Sequence, residues 1–291
     1  MISGKTILIT GGTGSFGSAF IDYVKKLKTF TSLVVYSRDW HKQKKLKELH
    51  NDVNFVIGDV RDKDRLSTTV REYGVDVIIH AAALKDVEFC EWNPTECLQT
   101  NVIGTQNVID VALEHEVNKC VLISTDKAVL PINTYGTSKK MAEKLCINAN
   151  ENSNSLSKFS VCRYGNVIGS AGSVLPVFKK MIAEGIKVLP VTDVRMTRFW
   201  YPMKDAIEFV LSTIDNMKGG EMLIPKIPSI RITDLVKAFG MEYEVIGIRE
   251  GEKLHEYMIP PDEITGKEGY SSGNNEHFLT IDEIKESINE I

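Results

Sequence analysis

The strongest constraint in this chain is an alternation. Short apolar runs rich in β-branched residues recur at TILIT (6–10), SLVVYS (32–37), VNFVIG (53–58), VDVIIHAAA (75–83), KCVLIS (119–124) and FSVCRYGNVIG (159–169). They lack a polar alternate face, so they suit strands covered on both sides. Between them lie helical patterns: FGSAFIDYVKKLK (16–28), DKDRLSTTVREYG (62–74), NVIGTQNVIDVALEHE (101–116) and SKKMAEKLCINANE (138–151). Strand followed by helix, repeated, predicts an α/β fold in which a doubly wound parallel sheet carries helices on both faces. After about residue 170 the alternation loosens, and glycine and proline crowd into GSAGSVLPVF and KGGEMLIPKIPSI. The expected division is therefore 1–170 and a smaller domain over 171–291, with late segments such as KDAIEFVLSTIDN free to pack back on the first. The terminal TIDEIKESINEI reads as one amphipathic helix.

Composition narrows the function class. A net charge of −4 over 291 residues argues against an extended basic surface for nucleic acid. The basic run WHKQKKLKELH (40–50) reads as a solvated helix face. Five cysteines, an odd number without C-x-x-C spacing, fit free thiols in a reducing compartment, and six scattered histidines assemble no local metal site. MISGKTILITGG reaches glycine too soon for a signal peptide, and no apolar run has membrane-spanning length. The expectation is a soluble cytoplasmic protein without metal or membrane segment.

Chemistry enters at the first strand–helix junction. TILITGGTGSFGSAF places Gly11, Gly14 and Gly17 after the first strand and at the mouth of a helix, with Thr13, Ser15 and Phe16 between them. Glycine permits the tight turn and lets backbone N–H groups approach a pyrophosphate at the positive helix end. A glycine turn can serve packing alone, but at this junction it points to a Rossmann-type dinucleotide site. The second strand ends in Ser37 and Arg38, with Lys42 one turn on. Forked arginine donors suit a 2′-phosphate, which favours NADP, while Asp39 keeps NAD open. Asp59 and Val60 after the third strand are placed to border the adenine, and Ala81 and Ala82 after the fourth leave room for close approach.

Further along, STDKAVLPINTYGTSKK (124–140) holds Tyr135 and Lys139 one helical turn apart, on one face. A free phenol titrates near pH 10, and a nearby ammonium favours its phenolate. Such a pair suits hydride transfer to or from a nicotinamide. Thr125, Asp126 and Lys127 precede it at the end of an apolar run. On the residues alone, a loop ion pair is the slightly favoured reading of Asp126 and Lys127.

Together these stretches resemble the extended short-chain dehydrogenase/reductase superfamily, and within it the configuration-inverting UDP-N-acetylglucosamine 4,6-dehydratases. The shared wording includes ITGGTGSFG, YSRD, GDVRDKDRL, HAAALK, NPTECLQTNVIGTQNVIDVA, RYGNVIGS, MTRFW and IGIREGEKLHE, spread over residues 5 to about 256. The stretch KDVEFCEWNP is more acidic than the family's usual wording, and the final 35 or so residues match none of its motifs. The resemblance implies that Tyr135, beside Thr125, acts as base toward the sugar C4 hydroxyl while Lys139 holds the nicotinamide ribose. Lys127 is then the base that removes the C5 proton, and Asp126 the acid that helps the C6 hydroxyl leave as water. Those roles call for a lysine shifted downward in pKa and an aspartate shifted upward. Retaining relatives commonly carry an acidic residue where Lys127 stands, so the lysine points to C5 inversion and an L-arabino 4-keto-6-deoxy product.

The same resemblance implies that Lys85, Asn166, Met196, Thr197, Arg198, Arg249 and Glu252 line a pocket for UDP-GlcNAc, with Lys85 also near the cofactor. Arg195 is a further arginine in this group. Relatives are commonly dimers or hexamers, so a homo-oligomer is expected. The competing readings are a C5-retaining dehydratase, a C4 epimerase and a non-catalytic NADP-binding regulator.

Overall fold

The computed structural model describes residues 3–27, 30–151, 156–262 and 264–290. Lys28 and Ile291, the last residues of two expected helices, lie outside the described residues. The apolar runs become β1 (Thr6–Thr10), β2 (Ser32–Ser37), β3 (Asn54–Ile57), β4 (Val77–His80), β5 (Lys119–Thr125) and β6 (Lys158–Tyr164). Between them stand α1 (Ser15–Leu27), α2 (Trp40–Leu49), α3 (Lys63–Tyr73), α4 (Val87–Trp92), α5 (Pro94–Leu98), α6 (Gly104–Glu114) and α7 (Thr134–Asn148). Local chemistry sets several starts: the carboxylates of Asp39, Asp62 and Asp86 each accept a backbone N–H from the first turn of α2, α3 and α4. Gly74, left-handed at φ 58°, ends α3.

Beyond residue 170 follow α8 (Val174–Ala183), β7 (Val188–Val191), β8 (Thr197–Phe199), α9 (Met203–Asn216), β9 (Met222–Leu223), β10 (Ser229–Arg231), α10 (Ile232–Ala238), β11 (Glu242–Val245), β12 (Tyr257–Ile259), β13 (Tyr270–Ser271) and α11 (Ile281–Asn289). The main sheet runs β3-β2-β1-β4-β5-β6-β9, parallel at every pairing. Alternate residues of β1 feed opposite cores, as a period of two requires. Ile7 and Ile9 join Phe20 and Val24 of α1 and Ile207 and Val210 of α9, whereas Leu8 joins Leu66 of α3, Val108 of α6 and Ala142 of α7. The doubly wound α/β expectation is met. Residues 203–223 thus return to the large sheet across the division at 170. A third cluster, with Phe178, Leu189, Trp200, Leu235 and Ile284, forms the core of the remaining C-terminal elements. There the strands pair two by two: β10 with β8, β11 with β7, and β12 with β13.

Two expected strands stop early. VDVIIHAAA leaves the sheet after His80, and FSVCRYGNVIG after Tyr164. Both breaks fall at the carboxyl ends of strands. The winding direction reverses between β1 and β4, and at such a switch point the loops part and leave a crevice.

Candidate active site

A single cleft of about 1610 Å³ runs from the β1–α1 loop, past the ends of β4, β5 and β6, to the C-terminal elements. It exceeds the roughly 300–1,000 Å³ of an ordinary ligand pocket, so it has room for two extended ligands. Gly11, Thr13, Gly14, Ser15, Phe16 and Gly17 form one end. Gly11 sits at φ 67°, and a Cβ on it would fall 2.7 Å from the Cα of Ala82. A Cβ on Gly17 would fall 2.4 Å from Gly12 Cα. Side chains are thus excluded where the loop meets α1 and the Ala81–Ala82 backbone. Ala81, Ala82, Asp59 and Val60 line the same end.

At the tip of β2, Ser37 is buried, and its hydroxyl accepts from Gln43 Nε2 at 3.0 Å. The carboxylate of Asp39 is spent on capping α2: Oδ1 accepts the Lys42 N–H at 3.0 Å. Arg38, half-exposed, stands 3.5 Å from Asp59 Oδ2, which Arg61 also grips at 2.6 Å. Burial opposes the Asp59 carboxylate, yet Arg61 and Arg38 outweigh it and hold the group below its ordinary range. Tyr36 and Gly58 are further wall residues that the sequence reading did not single out. The Tyr36 ring lies 2.2 Å from where a Cβ on Gly58 would be, so residue 58 has no room for a side chain.

The half of the cleft with the candidate catalytic residues lies where β5 ends. After Thr125 the chain makes one 3-10 turn, Asp126–Ala128, before α7 starts. Asn133 caps α7 by accepting the Gly136 N–H at 2.7 Å. A Cβ on Gly136 would fall 2.3 Å from the Lys127 carbonyl, so glycine lets the first turn of α7 press onto the Asp126–Ala128 turn. This contact brings Tyr135 and Lys139 beside Thr125, Asp126 and Lys127, all on the cleft wall. Thr125 Oγ1 donates to Asp126 Oδ1 at 2.9 Å. Lys127 Nζ lies 3.2 Å from Asp126 Oδ1 and 3.3 Å from Glu256 Oε1. Lys139 Nζ donates to the Ile123 carbonyl at 2.7 Å.

Electrostatics here correct two expectations. Asp126 is fully buried, and burial raises its pKa, as an acid requires. Lys127 moves the other way from the expected shift. Burial disfavours its ammonium, but the carboxylates of Asp126 and Glu256 overcome that and hold the amine above its ordinary range. Tyr135 is pushed up to about 12 by burial, and the cation drawing it back down is Lys127, not Lys139. Lys139, also buried, is lowered to about 8 by desolvation against the pull of Glu143.

Of the residues expected to meet a nucleotide-sugar, Lys85, Asn166, Met196, Arg198, Arg249 and Glu252 line the cleft. Thr197 does not line it: its strand position turns the side chain inward, where the hydroxyl meets His255 Nδ1 and Ser272 Oγ at 2.8 Å each. Arg195 is also outside, exposed and bound to Asp193 at 2.7 Å. Arg198 Nη2 stands 3.4 Å from Glu252 Oε1. Thr100 Oγ1, Asp126 Oδ2, Asn166 Oδ1, Ser173 Oγ and Glu252 Oε2 are buried along this wall without a hydrogen-bond partner. Each such atom costs about 1–3 kcal/mol when left unpaired, so this wall offers carboxylate, amide and hydroxyl oxygens to a polar ligand or to water. Glu256 and Ser173 were missed from the sequence. Glu256 is the last letter of IGIREGEKLHE, and that position was the available signal. Among the described residues there is no His/Cys/Asp/Glu cluster able to hold a metal ion.

A glycine cradle at the switch point, with a tyrosine and a lysine one turn apart facing the same crevice, defines an extended short-chain dehydrogenase/reductase. The chain belongs to the polysaccharide biosynthesis protein family, whose match spans residues 7–275. It is 51% identical over 268 residues to the UDP-N-acetylglucosamine 4,6-dehydratase (inverting) of Campylobacter jejuni subsp. jejuni, covering 90% of this chain and 80% of that one. It is also 40% identical over 276 residues to a UDP-glucose 4-epimerase of Rickettsia conorii, covering 91% and 80%. Among solved structures, Pen from Bacillus thuringiensis superposes with a TM-score of 0.90 at 32% identity, over 100% of this chain and 99% of that one. The dTDP-glucose 4,6-dehydratase DesIV of Streptomyces venezuelae, solved with NAD and TYD bound, shares the fold with a TM-score of 0.80 at 20% identity, over 98% and 96%. The superfamily resemblance read from the sequence is borne out.

Proposed function

We propose that this protein is a UDP-N-acetylglucosamine 4,6-dehydratase that inverts C5 and works with NADP. The observation that carries the reading is the Asp126–Lys127 pair opening on the cleft beside Tyr135, in a chain 51% identical to a dehydratase of that specificity. The dinucleotide fits the space kept clear at Gly11 and Gly17. The 2′-phosphate falls to Arg38 and Lys42, because Asp39 is engaged as a helix cap. When bound, the nicotinamide supplies a reversible hydride acceptor, oxidising C4 of the sugar and later reducing C6.

The chain's own residues manage protons. Tyr135 takes the proton of the C4 hydroxyl, and the Lys127 ammonium favours that phenolate. A C4 ketone makes the C5 hydrogen acidic. Elimination then requires a neutral Lys127 and a protonated Asp126. That state holds the same number of protons as an ion pair would: one proton has only to cross the 3.2 Å from Nζ to Oδ1. Burial of Asp126 favours the transfer. Arg198 and Arg249 suit the diphosphate, and the unpartnered Asn166 and Glu252 atoms suit sugar and ribose hydroxyls.

No helix among the described residues is long and apolar enough to cross a membrane. The five free, buried cysteines support a reducing cytoplasmic setting. Self-association as a dimer or hexamer belongs to the same reading. Incubation with UDP-GlcNAc in deuterated water tests the whole: loss of one water with deuterium at C5, and an L-arabino product by NMR, is expected. A product of unchanged composition would favour the second reading, a C4 epimerase, which the 40% identical Rickettsia relative keeps in view.

A further inference from the structure

We infer that Glu256 is a positioning residue for the dehydration step, making the Lys127 amine basic enough to take the C5 proton. The inference rests on the dehydratase reading and goes beyond it.

Glu256 is 3% exposed and lines the cleft. It sits just ahead of β12 and is fixed there by backbone bonds. Its N–H donates to Ser272 Oγ at 3.0 Å, and its carbonyl accepts the Ser272 N–H at 2.8 Å. Two residues on, the Met258 carbonyl accepts from Arg163 Nη1 at 2.8 Å, pinning the segment to β6. One carboxylate oxygen, Oε1, stands 3.3 Å from Lys127 Nζ, and the other stands 3.6 Å from Lys253 Nζ. A carboxylate so enclosed is expensive unless its partners need it.

Two carboxylates on one amine have different fates in the elimination. The C5–H bond breaks and its proton passes to Nζ. The C5 electron pair forms the C5–C6 double bond, and the C6–O bond breaks as Asp126 delivers its proton to make water. Asp126 must start neutral, so it offers no anionic charge when the proton begins to move. Glu256 stays ionised throughout: burial opposes its charge, but Lys127, Arg198 and Lys253 hold its pKa below the ordinary range. Around Lys127 the remaining groups are Tyr135, Asp126 and the cations Arg198, Lys85 and Lys253, and the cations weaken any base. Glu256 is the permanent anion that offsets them. It stabilises the ammonium as it forms, as a buried carboxylate does for an imidazolium in a serine-protease triad.

The test is Glu256→Gln with UDP-GlcNAc and NADP in deuterated water, read three ways against wild type. Water loss and C5 deuteration are expected to fall on the order of 100-fold, whereas the transient absorbance of reduced nicotinamide, which reports C4 oxidation, falls far less. The alkaline limb of the dehydration profile moves to lower pH, because the ammonium loses a partner, and Glu256→Asp restores part of the rate. A merely structural role leaves that limb in place, so an unmoved limb, or oxidation and deuteration falling together, overturns the inference. Unchanged deuteration in the variant does the same. Thermal melting identifies a misfolded Gln variant, in which case the Asp variant's limb decides. Should wild type itself release no water from UDP-GlcNAc, the dehydratase reading fails first and takes this inference with it.

Discussion

Glu143 of α7 and Arg163 of β6 meet in a two-pronged ion pair, with Nε–Oε1 and Nη2–Oε2 both at 2.7 Å and side chains 1% and 4% exposed. Ser124 at the end of β5 donates to the same carboxylate at 2.8 Å. The pair locks the helix that carries Tyr135 and Lys139 to the strand that pins the Glu256 segment. Tyr135, Lys139 and the Glu256 segment are therefore tied to one frame.

Breaking that lock leaves a buried charge alone. Glu143→Ala or Arg163→Ala is expected to destabilise the protein by about 3–5 kcal/mol, measured by urea unfolding. Replacing both with apolar residues of similar volume loses much less, and a double-mutant cycle shows the difference.

Replacing Lys127 tests its proposed role as the C5 base and separates the two halves of the proposed reaction. Lys127→Ala is expected to lower C5 deuteration by roughly 100- to 10,000-fold, with C4 oxidation still detectable as reduced nicotinamide on mixing. Unchanged deuteration rules Lys127 out as base.

The glycine cradle tolerates no methyl group. Gly11→Ala meets the Ala82 backbone at 2.7 Å and is held at φ 67°. A loss of roughly 1–3 kcal/mol in stability is expected from such overpacking, together with a smaller thermal shift on adding NADP.

The proposed preference for NADP rests on Arg38. Loss of a charge-assisted contact of about 1.5–3 kcal/mol corresponds to a roughly 10- to 150-fold weaker Kd for NADP in Arg38→Ala. Titration with NAD should change little. Equal losses for both would place Arg38 away from the 2′-phosphate.

Lys139 makes stability depend on pH. Its folded pKa, about 8, lies below its ordinary 10.5. Between those values the unfolded chain binds the extra proton, so stability rises with pH through this window, and below about 8 the buried ammonium is a burden. Relative to Lys139→Met, wild type is expected to gain on the order of 3 kcal/mol between pH 7.5 and 10.5, read by urea unfolding at each pH. The methionine variant loses activity at every pH.

Much of the candidate site was legible because its parts are local. The Gly11–Gly17 loop and the Arg38 tip directly follow the ends of β1 and β2, and Tyr135 and Lys139 share one turn of α7, so short-range spacing decides what each presents. Thr197 failed because a three-residue strand puts neighbouring side chains on opposite faces, and its register came from pairing with β10. The pKa of Lys127 failed for a similar reason: its second carboxylate arrives from a segment 129 positions along the chain.

By itself the sequence determined the alternating sheet, the glycine cradle and the acid–amine pair, since periodicity, glycine chemistry and neighbouring residues act over short stretches of chain. Only the tertiary structure decided that Glu256 would join that pair, that β9 and α9 would return to the large sheet, and which charges Lys127 and Tyr135 feel. Those outcomes depend on burial and on distances between remote segments, and packing alone sets them.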